Sequence, residues 1–174
     1  FRSMIEGENE FMTDVLFYQN YTYVADISAI VLCIICWLLL HSSYTVREKS
    51  LIIFKAGTVC LMMATVCSIS FHTAITRITE SRKILIYVLQ DGIYLLLILT
   101  FVLLCNYFGT LLKLEERPAR LLGAVSWGGY AVFAFLEIGS PFTHLGFYID
   151  ADLMVHQNFY FDPFRFAYIY YCIV

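Results

Sequence analysis

The stretch Gly92–Leu112, GIYLLLILTFVLLCNYFGTLL, carries no charged residue. A helix crosses a hydrocarbon core of about 30 Å with about 20 mostly apolar residues. Inside lipid a helix satisfies its own backbone N–H and C=O groups, so a run of this length and polarity predicts a spanning helix. The run extends backwards through Ile84–Gln90 past a single acid, Asp91.

Comparable runs flank it. Ile27–Val46 and Ala56–Thr76 are free of charge, and Leu121–Ile149 holds one, Glu137. A fifth run, Phe166–Val174, follows Arg165 and would reach only about 14 Å as a helix. The sequence therefore predicts an all-α, polytopic transmembrane helix bundle, with four complete spans and the start of a fifth. The truncated last helix is expected to continue in a longer protein. The predicted organisation is an acidic N-terminal segment over 1–20, followed by a transmembrane bundle over 21–174.

Composition agrees. Of 174 residues, 60% are apolar and 14% are charged. Soluble domains average about 45–50% and about 25%. So few charges cannot cover the surface of a small soluble domain. The net charge of −3, with no basic stretch, argues against a nucleic-acid partner. The bilayer is the partner this composition requires.

Orientation is finely balanced. With the N-terminus outside, Arg47, Lys49, Lys55, Lys113, Arg117 and Arg120 face the cytoplasm, and Arg2, Arg77, Arg82, Lys83 and Arg165 face out. Six against five is too close for the positive-inside rule alone to decide, and an external N-terminus is the favoured reading. Pro118 falls at a helix start, where its missing N–H costs little. Pro141, after Gly139-Ser140, is expected to end or kink the fourth helix. The aromatic stretch Phe147–Phe164 reads as an interfacial belt, with a short hairpin as the alternative.

Ionisable groups inside spans are costly and mark candidate sites. Asp26 lies about a turn into the first helix, His72 near the end of the second and Asp91 two turns into the third. Glu137 lies about 24 Å along the fourth. Because successive spans alternate in direction, all four fall in the same half of the bilayer, the outer half in the favoured topology. Tyr87 and Tyr94 share a face with Asp91, and Tyr130 lies two turns from Glu137. His144 would continue that series but for Pro141. The candidate site is thus Asp26, His72, Tyr87, Asp91, Tyr94, Tyr130, Glu137 and His144. These groups either bind a small polar or cationic ligand, or pair with each other and with Arg77, Arg82 and Lys83 to hold the bundle together.

Other chemistry is not indicated. No H-E-x-x-H, G-x-S-x-G or phosphate loop is present, the histidines lack metal spacing, and no catalytic set, metal or cofactor is expected. Cys33-x-x-Cys36 lies mid-helix without a second pair, so its cysteines read as small hydrophobes. Ala64-x-x-x-Ser68 and Ala124-x-x-x-Gly128, with Gly129 beside it, would let helices approach closely, within one chain or in a homodimer.

Several short stretches add a resemblance. They are Tyr23-Val24-Ala25-Asp26-Ile27, Leu51-Ile52-Ile53-Phe54, Asp91-Gly92-Ile93-Tyr94 and Phe147-Tyr148-Ile149-Asp150. In texture and order, Tyr21–Val174 resembles the N-terminal membrane regions of Firmicutes-type signalling proteins that carry a cytoplasmic GGDEF diguanylate cyclase domain. The resemblance implies a sensory input module whose last helix delivers a signal to an output domain beyond Val174. No catalytic residue carries over. Histidine-kinase sensor regions look similar, and a small-molecule-binding transporter subunit would use the same polar groups.

Overall fold

The computed structural model describes residues 23–39, 41, 49–76, 78–112, 115–143, 147–149, 155–157 and 163–174. Five helices and one hairpin are seen: α1 (Tyr23–Leu39), α2 (Lys49–Ile75), α3 (Lys83–Leu111), α4 (Glu116–Thr143), β1 (Phe147–Ile149), β2 (Val155–Gln157) and α5 (Pro163–Ile173). A single 3₁₀ turn, Glu80–Arg82, leads into α3. The acidic segment 1–20 lies outside the described residues.

Among the described residues, three helices, Ser50–Ile75, Glu80–Leu111 and Glu116–Thr143, are long and apolar enough to cross a membrane. The first apolar run forms the shorter helix Tyr23–Leu39. Phe135 and Phe142 of α4 are 82% and 87% exposed. A bilayer, not water, is the solvent that such a surface suits. Within the spans, Thr58, Ser70, Thr73 and Thr100 each return their hydroxyl to a carbonyl four residues back. The hydroxyls are thereby satisfied without water.

Small residues set the helix register. A methyl group at Gly57 would lie 3.8 Å from Leu103 Cβ, and one at Gly92 would lie 3.7 Å from Cys67 Sγ. These two contacts run α2 and α3 antiparallel along their length. Gly123 similarly meets Asn106 Oδ1 at 3.7 Å, placing α4 antiparallel to α3. The α5 helix runs parallel to α3, with Phe164 stacked on Tyr94 at 4.6 Å and Tyr168 edge-on to Phe101 at 5.7 Å. The core lies where these three helices meet and contains Ile98, Val102, Phe133, Ala167 and Tyr171.

Two boundaries are set by features other than apolarity. The fourth apolar run extends to Ile149, but α4 ends at Thr143 and Phe147–Ile149 forms a strand. Pro141 does not stop the helix at once. Its missing N–H removes the bond to the Glu137 carbonyl, and α4 runs past it to Thr143. The aromatic stretch takes the hairpin alternative, with Phe147 opposite Gln157 and Ile149 opposite Val155. Ile149 is buried against Ala74 and Ile86, so the hairpin packs on the α2–α3 end of the bundle.

Candidate functional site

Helix register fixes the depth of each carboxylate. Ser68 Oγ donates to Asp26 Oδ2 at 2.7 Å, so these two residues are level. The neighbouring Cys67–Gly92 contact puts Asp91 at the same height. From the Asn106–Gly123 contact, fifteen residues back along α3 reach Asp91, and fifteen forward along α4 reach Ile138. Asp26, Asp91 and Glu137 therefore lie in one layer of the bundle.

A common depth does not mean a common cavity. Asp26 belongs to the seam between α1 and α2. One turn nearer the start of α1 on that seam, the hydroxyls of Tyr23 and Thr73 are 3.3 Å apart, and the Tyr23 ring meets His72 edge-on at 5.8 Å. Hydroxyl–carboxylate pairs of this kind hold transmembrane helices together. The trio Asp26, Ser68 and His72 has the residue types of a hydrolase triad but not its wiring. Ser68 gives its proton to the carboxylate, whereas nucleophile activation requires the imidazole to take it.

The other candidates lie among α3, α4 and α5. Asp91 is partly buried, and Gln90 beside it is buried. Tyr94 and Tyr130 border the aromatic core around Phe133 and Tyr171. On α4, Ser126, Phe133, Glu137 and Ser140 are buried at spacings of seven, four and three residues, which is a single inward face. Glu137 is only 2% exposed. Tyr87 ties the hairpin down: its hydroxyl oxygen accepts the Ile149 backbone N–H at 2.7 Å. His144 lies outside the described residues. Among the described residues, no three of His, Cys, Asp and Glu come together as a metal set.

Several structural participants were not singled out as site residues from sequence. Ser68 appeared only as a small packing residue, yet its hydroxyl holds Asp26. Tyr170 and Tyr171 lie in the apolar run after Arg165 with no sequence signal of their own, and Tyr170 Oη donates to the Val125 carbonyl at 2.8 Å and Tyr171 Oη to the Ser126 carbonyl at 2.6 Å. Adjacent residues on α5 thus grip adjacent carbonyls on α4. Gly129 makes room for this clasp, since the Tyr170 ring lies directly against its Cα. No protein-family model, curated protein or solved structure matches this chain.

Proposed function

We propose that the chain is the membrane-embedded input module of a bacterial signalling protein, with four spans and the start of a fifth. Its N-terminus lies outside, and α5 leads to a cytoplasmic output domain of the GGDEF diguanylate cyclase type. One observation carries this reading. The hairpin that precedes α5 is anchored by Tyr87 on α3, one turn from Asp91, in the end of the bundle that contains the layer of three carboxylates. A small polar or cationic ligand that altered this end would move the hairpin, and with it α5.

The coupling is a shift between two helix arrangements that the ligand stabilises unequally. The clasp between α4 and α5 resists that shift through two hydroxyl bonds. A transporter subunit is less well supported, because Asp26 is already engaged with Ser68 on the seam between α1 and α2.

The test uses the full-length protein in lipid nanodiscs with GTP as substrate. Cyclic dinucleotide should form, and Asp91→Asn should change its rate while the yield of folded protein stays near that of the wild type. Absence of cyclic dinucleotide removes the proposed output. Loss of folded Asp91→Asn protein assigns Asp91 to structural pairing instead. A cysteine introduced near Glu10 should react with an impermeant thiol reagent in intact cells, and labelling only after lysis would reverse the topology.

A further inference from the structure

A second feature lies deeper in the bundle, away from the carboxylate layer. A cavity of about 290 Å³ opens between α1, α2 and α3. Its wall includes Cys33, Cys36, Gly57, Thr58, Thr100 and Leu103. Both cysteines are free thiols, Cys33 buried and Cys36 exposed. The threonine hydroxyls already donate to the carbonyls of Phe54 and Leu96. The distinctive chemistry on this apolar wall is therefore a pair of thiols three residues apart on one helix.

We infer that Cys33 and Cys36 form a reversible dithiol–disulfide switch whose oxidant is a lipid-soluble quinone seated in this cavity. Depth selects the oxidant. The Asp26–Ser68 register puts Cys33 level with Leu61, in the middle of the Ser50–Ile75 span. Charged oxidants are strongly disfavoured at that depth, whereas a neutral quinone partitions there. A soft metal ion would require buried thiolates, while the quinone reaction begins and ends with neutral species. Two S–H bonds break and one S–S bond forms. Two electrons and two protons pass to the quinone oxygens and yield the hydroquinone.

Geometry permits closure but resists it. Residues three apart on a helix have Cβ atoms about 5–6 Å apart, and a disulfide needs about 3.5–4.5 Å. Oxidation therefore draws α1 in locally by about 1–2 Å. A strained disulfide of this kind is readily reduced, as a switch requires.

The test uses the full-length chain in liposomes doped with a short-tailed benzoquinone. Thiols are counted after denaturation by the mass shift from a polymeric maleimide. The wild type should lose two of its six thiols and regain them with dithiothreitol. The peptide carrying Cys33 and Cys36 should be lighter by two hydrogens, a readout that needs no variant. Cys33→Ser and Cys36→Ser should each retain every remaining thiol. Gly57→Val adds bulk to the cavity wall beside Leu103, so it should slow oxidation by the quinone but not by diamide. Six titratable thiols after quinone treatment would overturn the proposal, as would two thiols lost from Cys33→Ser. Equal quinone rates in Gly57→Val and wild type would remove the cavity from it.

Discussion

Replacing Gly129 with alanine tests whether the tyrosine clasp holds α5. In an ordinary exposed helix the change stabilises, since glycine is about 0.8–1.0 kcal/mol less favourable than alanine. Here the new methyl group would sit 2.9 Å from Tyr170 Cζ and 3.1 Å from its Oη. Carbon atoms pack at about 3.5–4.0 Å, so the ring must retreat by roughly 1 Å. The 2.8 Å bond from Tyr170 to the Val125 carbonyl would then stretch beyond useful length. Overpacking costs about 1–3 kcal/mol, and a hydroxyl bond within a membrane contributes about 0.6 kcal/mol on average. After subtracting the gain in helix propensity, Gly129→Ala should destabilise by about 1–2 kcal/mol. Gly128, the next residue, has open space around the same position and is the internal control. Gly128→Ala should be neutral or stabilise by up to about 1 kcal/mol.

The assay is equilibrium unfolding of the full-length chain in mixed micelles. A double-mutant cycle completes it, because in a Tyr170→Ala background Gly129→Ala should no longer destabilise. Equal effects at Gly128 and Gly129, or strict additivity of Gly129→Ala with Tyr170→Ala, would refute the clasp.

Three further outcomes are expected. Ser68→Ala removes the hydroxyl that Asp26 accepts and should cost about 1–2 kcal/mol, read as a lowered thermal midpoint, with Asp26→Asn partly compensating. Tyr87→Phe removes the acceptor of the Ile149 amide, so hydrogen exchange at that amide should speed up by about threefold to tenfold while the helices keep their protection. Arg120→Ala breaks the Glu116–Arg120 pair, but those side chains are 80% and 86% exposed, so stability should move by less than about 0.5 kcal/mol.

The spanning helices were legible because lipid imposes one rule on the backbone. A long apolar run must satisfy its own peptide groups, and helix is the local way to do so. Residues such as Asp91 and Glu137 stood out for a related reason: a charge within such a run is costly enough to be conspicuous. Alternation of direction was sufficient to place them in one half of the bundle, and the helix register narrows that half to one layer. Ends were harder to read. Hydropathy continues through Ile149, and nothing in apolarity separates the last turn of α4 from the first strand of the hairpin.

The sequence by itself determined that this chain is helical, that it belongs in a bilayer, and that the carboxylates within its spans fall in one half of the bundle. All three follow from one-dimensional patterns of polarity. Only the tertiary structure decided partners. Glycines 128 and 129 are identical in composition and neighbourhood, yet only Gly129 faces the Tyr170 ring. Ala64-x-x-x-Ser68 signals close approach, but the use of Ser68 as a donor to Asp26 depended on which helix came alongside. Tyr170 and Tyr171 are two aromatics among many until α5 lies antiparallel to α4 and adjacent carbonyls come within reach. Partition into lipid is a property of a segment, whereas a hydrogen bond or a steric contact belongs to two segments and requires their relative placement.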